Sequence, residues 1–383
     1  MYDFEDIRPY RDAEVSGVLR RLVADEEFLN LIIERQCPRL FDFCPNTMRL
    51  LFRWAMAWSV RDIKTVYDFQ RYLSFKLKKI LSETTDQYTF SGINGLKASK
   101  AYLFMSNHRD IALDPALIIL GLVESGRDSL RIAIGDNLLT KPFASDLMRL
   151  NRSFIVKRSL SALREKMIAL RQLSSYIRNS ICCEYISIWI AQAEGRAKDG
   201  HDRTETALLK MLALSRSNAQ TFGAAIKDLS IVPVAIAYEY DPCAFDKAKQ
   251  LKARQSGDTY IKSDYEDLES IKKGFIGYKG RVHVSFGEAI DIEVATPEEL
   301  SNEIDRQIFS LFQLFPSHII AWQLLNPDRD DKSLQNLWPK EDWTAARRKF
   351  TQHIAELPVE YRDIVLESYA APVVDQLASG GSI

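Results

Sequence analysis

The first 85 residues carry hydrophobic positions at a helical spacing. In one run the apolar residues lie three or four positions apart: Val15, Val18, Leu19 and Leu22. A second run, between residues 66 and 80, keeps the same period. This spacing places apolar side chains on one face of an α-helix. We therefore predict an N-terminal helical module over residues 1–85.

The stretch 48–60, MRLLFRWAMAWSV, contains two tryptophans and permits two interpretations. Arg49 and Arg53 lie one helical turn apart within it. In an interfacial helix, the apolar side would enter lipid and the arginines would lie at the headgroups. In a core helix, the arginines would extend along apolar surface towards solvent. We favour the core helix, because tryptophans are common in helical cores.

Beyond residue 86 the pattern changes to short apolar runs that alternate with helical periods. Seven runs have the length and composition of strands: 88–90, 102–105, 131–134, 153–156, 185–191, 231–238 and 281–286. Strands that alternate with helices favour an α/β sheet covered on both faces. We predict such a domain over residues 86–316.

The C-terminal part of the chain returns to a helical pattern. The sequence Thr296-Pro297-Glu298-Glu299 has the form of a capping box with proline at the first helical position. Tryptophans follow at positions 322, 338 and 343 and supply packing material. We predict a helical C-terminal extension over residues 317–383.

The composition is that of an ordinary globular protein. Of 383 residues, 46% are hydrophobic and 27% charged, with a net charge of −1, so any attraction to phosphate must come from local patches. We expect no nucleic-acid partner. Five cysteines without regular spacing argue against a disulfide framework and fit a reducing cytosol. The acidic N-terminus is not a secretory signal, and no apolar run reaches the length of a membrane span.

Chemistry concentrates in a polar loop after the run 102–105. The loop contains His108, Arg109 and Asp110, and it ends at Asp114-Pro115. Proline suits the first position of a helix, which predicts Asp114 as the N-cap. A histidine can take a proton from a hydroxyl near neutral pH, and a carboxylate can orient it. Alternatively, Asp114 is only a cap and His108 only a hydrogen-bonded loop residue.

Two further motifs carry cations at the ends of predicted strands. In the first, Arg152 and Lys157-Arg158 flank the run 153–156, and arginine's planar fork matches the oxygens of a phosphate. In the second, Glu194-Gly195-Arg196 precedes Lys198 after the run 185–191, and glycine permits a sharp turn or a close approach to a ligand. The alternatives are a solvated strand edge and a simple Glu–Arg turn.

These pieces resemble, in order, the four motifs of the glycerolipid acyltransferases, which include glycerol-3-phosphate and lysophosphatidate acyltransferases. The first resembles the family's His-x4-Asp motif with one extra residue between His108 and Asp114. The second resembles the motif in which Phe-Ile precedes a basic residue, here Arg158. Glu194-Gly195-Arg196 resembles Glu-Gly-Thr-Arg without the threonine. Pro233 matches the proline of the fourth motif, to which we assign no direct chemistry, and the run 281–290 resembles the family's closing strand.

The resemblance implies a mixed sheet flanked by helices and transfer of a fatty acyl group to a hydroxyl of a phosphorylated glycerol. It assigns catalysis to His108 and Asp114, although Asp110 remains open as the residue that orients His108. The implied substrate-binding residues are Arg109, Arg158, Glu194, Gly195, Arg196 and Lys198.

The donor implied is acyl-CoA or acyl-carrier-protein, and the acceptor is glycerol 3-phosphate or lysophosphatidate. We expect no cofactor, and no metal because the carboxylates and histidines lack ligand spacing. The lipid substrates imply a cytoplasmic protein that is peripheral on the inner face of the membrane. Two alternatives stay open: a noncatalytic protein that binds membranes or lipids, and an acyltransferase that acts on a different lipid acceptor.

Overall fold

The computed structural model describes residues 3–257, 260, 263, 265–291, 293–329 and 332–380, without the side chains of residues 35 and 332. Two compact units divide the chain: unit 1 comprises Met1–Leu77 and Arg131–Leu173, and unit 2 comprises Lys78–Leu130 and Ser174–Ile383. The sequence-based division into residues 1–85, 86–316 and 317–383 stays a prediction.

The strands of the described chain are β1 (Gln87–Ser91), β2 (Leu103–Ser106), β3 (Arg131–Gly135), β4 (Ser153–Val156), β5 (Ile188–Ala191), β6 (Ile231–Tyr238) and β7 (Arg281–Phe286). The helices are α1 (Asp12–Ala24), α2 (Glu26–Gln36), α3 (Pro38–Phe43), α4 (Pro45–Val60), α5 (Val66–Thr84), α6 (Leu113–Glu124), α7 (Pro142–Leu150), α8 (Leu163–Cys182), α9 (Thr206–Leu212), α10 (Phe222–Lys227), α11 (Ala244–Gln255), α12 (Glu266–Ile276), α13 (Pro297–Leu311), α14 (Pro316–Leu325), α15 (Lys332–Gln335), α16 (Trp343–Ala355) and α17 (Val359–Ala378).

Unit 2 is built on a mixed sheet in the order β1-β7-β6-β2-β5. β6 and β7 are antiparallel, whereas β1 pairs with β7, β2 with β6 and β2 with β5 in parallel. Every residue of β2 and β6 is buried, as expected for central strands with apolar sequences. Helices cover the sheet, with α13 against β6 and α6 against β7. The predicted α/β fold with a mixed sheet flanked by helices is confirmed.

Unit 1 combines helices with one parallel strand pair. β3 and β4 are joined from Ile132↔Ser153 to Gly135↔Val156. In the helical part, Leu29 and Ile33 of α2 and Met48 of α4 form a buried cluster, against which Phe52 and Met56 pack. Apolar residues at four-residue spacing thus give α4 one inward face.

The favoured interpretation of the tryptophan-rich stretch is wrong for its tryptophans. α4 buries Met48, but Trp54 and Trp58 are 69% and 58% exposed. The core that α2 and α4 share uses the other face of the helix. A pattern that is apolar on both faces does not by itself say which face is buried.

Local helix signals are mostly confirmed. The Thr296 hydroxyl accepts the backbone N–H of Glu299 at 3.2 Å, and Pro297 begins α13. The predicted capping box is only half formed, because Glu299 Oε2 accepts the N–H of Ala295 at 2.8 Å. Pro233 lies near the start of its strand and pairs with Met105, just before the antiparallel ladder begins at Val234.

Among the described residues, no single helix has the length and hydropathy of a membrane span. Helices α13 and α14 together reach both, but they are bent by 104° at the break between them.

Candidate active site

A histidine–carboxylate pair lies at the carboxyl end of β2 in unit 2. His108 Nδ1 is 2.9 Å from Asp114 Oδ2. The His108 side chain keeps 14% of its surface exposed, while the Asp114 side chain is fully buried. The extra residue in the loop therefore does not separate the two side chains. Of the two candidate carboxylates, Asp114 contacts the imidazole.

Asp114 also organises the loop that precedes it. Its Oδ2 accepts the backbone N–H groups of Arg109 at 2.6 Å and Asp110 at 2.9 Å, and its Oδ1 accepts the hydroxyl of Tyr238 at 2.8 Å. Because these donors point at the carboxylate, it acts as an acceptor, and the His108 Nδ1 that faces it carries the proton. The second ring nitrogen, Nε2, is then the one available as a base.

The N-terminus of α6 differs from its prediction. The helix begins at Leu113, so Asp114 is its second residue and not its N-cap. Asp110 takes the capping role, because its Oδ1 accepts the N–H groups of Ala112 at 3.0 Å and Leu113 at 2.8 Å. The Asp114 carboxylate is therefore available to accept hydrogen bonds from the preceding loop and from His108.

Asp110 is a second buried carboxyl beside the pair. Burial, followed by the charge of Asp114, raises the pKa of Asp110 to about 6, and Arg196 opposes this rise. α12 packs tightly over the carboxyl group: a Cβ on Gly274 would lie 2.0 Å from Asp110 Oδ2. A glycine is therefore needed for this helix to approach the loop so closely.

Buried polar contacts fix the backbone on the other side of His108. The amide of Asn107 donates to Ile236 O and accepts from Ile236 N, at 3.0 and 2.8 Å, and so ties the loop to β6. The Trp189 ring of β5 lies edge-on to the His108 ring, with the centroids 5.6 Å apart. The indole N–H of Trp189 donates to Ser106 Oγ at 2.9 Å. The imidazole is thus packed against a side chain that is itself held in place.

The guanidinium of Arg109 is directed into the protein. One of its terminal nitrogens donates to Asp202 Oδ2 at 2.6 Å and to Gly200 O at 2.9 Å. The Arg109 side chain is 11% exposed and that of Asp202 is 4% exposed. This buried ion pair connects the His108 loop to the loop that follows β5.

The loop of the third motif adjoins the His108 loop. Since β2 and β5 are parallel with Ser106 opposite Ala191, both loops leave the same edge of the sheet. The N–H of Ala197 donates to His108 O at 2.9 Å. Arg196 donates to Ser270 Oγ of α12 at 3.0 Å, and Lys198 shares the lining of a cavity of about 30 Å³ with Arg109.

The turn before Arg196 depends on glycine. Gly195 has φ +80°, in the left-handed region that favours glycine. Glu194 is exposed directly before it. Five of the predicted substrate-binding residues therefore lie in two neighbouring loops of unit 2: Arg109, Glu194, Gly195, Arg196 and Lys198.

Arg158 lies in unit 1, two residues after the end of β4. Its backbone N–H donates to Asp136 Oδ1 at 3.1 Å, and Ser159 donates to the other oxygen of the same carboxylate. Lys157 forms an ion pair with Asp6. The second motif therefore consists of β4 and an ordered loop after it, which Asp136 directly after β3 holds.

Sequence reasoning missed four residues of the site: Trp189, Asp202, Tyr238 and Lys247. Lys247 Nζ donates to Arg109 O at 2.8 Å and pairs with Asp241. Tyr238 ends the strand run 231–238, and the parallel pairing of β6 with β2 brings it to the edge where His108 lies. Its position at a strand end was the available signal. Within the described residues, no three His, Cys, Asp or Glu side chains gather as a metal-binding group.

Comparison with known proteins gives a family match over part of the chain. Residues 87–237 match the family model described as Acyltransferase. This segment contains all four motifs, so the family match supports the resemblance to the glycerolipid acyltransferases over residues 87–237.

Among solved structures, the chain is similar to the 1-acyl-sn-glycerophosphate (LPA) acyltransferase PlsC from Thermotoga maritima. The identity is 12%, over 74% of this chain and 95% of that chain, with a TM-score of 0.39. No curated protein matches the chain.

Proposed function

We propose that the chain transfers a fatty acyl group from acyl-CoA or acyl-carrier-protein to a hydroxyl of a phosphorylated glycerol, either glycerol 3-phosphate or lysophosphatidate. The observation that carries this proposal is the 2.9 Å contact between His108 Nδ1 and Asp114 Oδ2. This contact lies inside the segment that matches the acyltransferase family. The contact gives His108 and Asp114 distinct roles in the proposed reaction.

The Nε2 atom of His108 acts as the general base. It takes the proton of the acceptor hydroxyl while the oxygen attacks the thioester carbonyl. The tetrahedral intermediate then collapses, the C–S bond breaks, and the leaving thiolate takes the proton from the imidazolium. Asp114 holds the ring and stabilises the imidazolium, as the aspartate of a serine-protease triad does. The thioester is already activated, so no acyl-enzyme is needed.

Cations on the loop after β5 are proposed to bind the acceptor's phosphate. Arg196 and Lys198 follow the Gly195 turn, close in sequence to the His108 loop contact at Ala197. Arg158, in unit 1, carries a planar guanidinium that matches phosphate oxygens, and its role in substrate binding stays a prediction. Arg109 is proposed to position the loop instead, because Asp202 occupies its guanidinium.

The test measures release of free CoA from palmitoyl-CoA with glycerol 3-phosphate, with lysophosphatidate and without acceptor. Wild type should release CoA in the presence of one acceptor, and His108→Ala should lose that release. The matched control is His201→Ala, which removes another histidine whose Nδ1 contacts a carboxylate, Asp375, at 2.8 Å. It should retain acceptor-dependent release.

Other outcomes exclude the proposal in different ways. Release without any acceptor, also lost in His108→Ala, would indicate a thioesterase. Failure of the wild type with both acyl-CoA and acyl-carrier-protein donors would favour a noncatalytic protein that binds lipids.

A further inference from the structure

Helix α4 of unit 1 has a second apolar face that stays largely exposed. Leu50, Leu51, Trp54 and Trp58 are 67%, 54%, 69% and 58% exposed. Leu50, Trp54 and Trp58 are four positions apart and Leu51 lies three before Trp54, so all four lie on one side of the helix. We call these four residues the outer face of α4.

The outer face is not needed to pack unit 1. The opposite side of α4, with Met48, Phe52 and Met56, already packs against α2. None of the other four tryptophans is so exposed, since Trp189 and Trp322 are buried and Trp338 and Trp343 are half-buried. Large apolar side chains that gather on a surface usually mark a site of interaction.

Charge indicates the chemistry of the partner. Residues 38–77 contain seven Lys or Arg and three Asp, a net charge of +4, in a chain whose total is −1. α4 itself has two arginines and no carboxylate. Arg61 follows the outer face, with its guanidinium 4.7 Å from the centroid of the Trp58 ring. The partner must therefore accept apolar side chains and supply negative charge.

We propose that the outer face of α4 docks the protein on a bilayer that contains anionic phospholipid. Leucine and tryptophan side chains enter the boundary between headgroups and acyl chains, and Arg61 and Lys64 lie at the headgroups. A second copy of the chain fits less well, because a two-fold contact would bring the same positive segment against itself. This docking goes beyond the proposed reaction and does not depend on it.

The experiment measures cosedimentation of the full chain with vesicles of phosphatidylcholine alone and of phosphatidylcholine mixed with phosphatidylglycerol. Wild type should bind the mixed vesicles more tightly, and added salt should weaken this binding because it screens charge. Trp54→Gln/Trp58→Gln should bind mixed vesicles at least about tenfold more weakly, because its apolar insertion is lost. Arg61→Gln/Lys64→Gln should lose about tenfold on mixed vesicles only.

The matched control removes two exposed apolar residues from unit 2, Leu337→Gln/Val359→Gln, which are 46% and 72% exposed in the wild type. It should bind as wild type does. The proposal is overturned if wild type fails to bind mixed vesicles, or if Trp54→Gln/Trp58→Gln binds them equally well. It is also overturned if wild type binds no vesicles and sediments as a dimer, whereas Trp54→Gln/Trp58→Gln sediments as a monomer. Each readout is binding, so a failure of acyl transfer leaves the test intact.

Discussion

At the scale of single residues, Asp114 connects parts of the chain that are far apart in sequence. Its two oxygens accept hydrogen bonds from His108 Nδ1, from two backbone N–H groups of the loop and from the Tyr238 hydroxyl of β6. Four donors in a buried site hold the carboxylate in one orientation. The orientation of the imidazole therefore depends on the loop backbone and on Tyr238 as well as on Asp114.

Tyr238→Phe tests this dependence. The change removes the 2.8 Å bond to Asp114 Oδ1 and keeps the ring in place. A hydrogen bond to a charged group contributes about 1.5–3 kcal/mol, so we expect kcat for acyl transfer to fall about tenfold or more, with little change in the KM of the acceptor. Steady-state kinetics measure both constants.

Tyr10→Phe is the matched control for this variant. The Tyr10 hydroxyl also donates to a carboxylate, Asp146 of unit 1, at 2.6 Å. Its loss should leave kcat unchanged. Equal losses in the two variants would mean that Tyr238 supports the fold and not His108.

Asp110 should make stability depend on pH. Its pKa is raised from 3.8 to about 6, so the folded chain holds a proton that the unfolded chain has released. The stabilisation is complete below pH 3.8 and is lost as the pH rises through about 6, a loss of up to about 3 kcal/mol. Asp110→Asn keeps an oxygen for the N–H groups of Ala112 and Leu113 but cannot ionise.

Urea unfolding from pH 4 to pH 7 compares the two proteins. The stability of wild type should decline relative to Asp110→Asn over this range, and Asp110→Asn should be the more stable at pH 7. Parallel curves would show that the carboxyl group titrates normally.

The local part of the site is readable from sequence, and the distant part is not. His108 and Asp114 lie six positions apart, and the proline beside Asp114 identified a helix start. Tyr238 and Asp202 come from elements about 100 or more residues further on, which only the sheet order brings to the same edge. The cap was misplaced because α6 begins two residues earlier than Pro115 suggested, with Ala112 at the N-cap position, and because either carboxylate, Asp110 or Asp114, could accept the first N–H groups of the helix.

At the scale of elements, the sequence predicted strands better than helix surfaces. All seven predicted runs contain the observed strands or overlap them, and β4, β6 and β7 have the predicted bounds. Apolar runs of β-branched residues between turns carry a clear signal. For α4, the period showed a helix but not its buried side, because both of its faces are apolar.

The close packing of α12 on the His108 loop leaves no room for a side chain at Gly274. Gly274→Ala would place a Cβ 2.0 Å from Asp110 Oδ2, whose partner oxygen is held by two N–H groups. We expect a loss of about 1–3 kcal/mol in the free energy of unfolding, together with reduced activity. Chemical denaturation and CoA release measure the two effects.

Gly17→Ala is the matched control, since it also replaces a glycine inside a helix. No neighbouring atom lies within 4 Å of the added Cβ. The change should stabilise the protein by up to about 1 kcal/mol, because alanine favours helix more than glycine does. If Gly274→Ala is as stable as Gly17→Ala, α12 does not pack tightly against Asp110.

At the scale of the whole molecule, the net charge of the chain does not describe the charge of its segments. A net charge of −1 excluded a strongly basic protein, yet residues 38–77 alone carry +4. The acyltransferase match covers residues 87–237, so the exposed face of α4 lies outside it. Reaction and membrane docking are therefore separate proposals, which different variants test.

The most direct test of the proposed chemistry is a double-mutant cycle on His108 and Asp114. The value measured is kcat/KM for acyl transfer by wild type, His108→Ala, Asp114→Asn and the double variant. If the two act as one unit, His108→Ala loses about 10²–10⁴-fold and the double variant loses hardly more than His108→Ala alone. Full activity of His108→Ala, or losses that simply multiply, would contradict a histidine base oriented by Asp114.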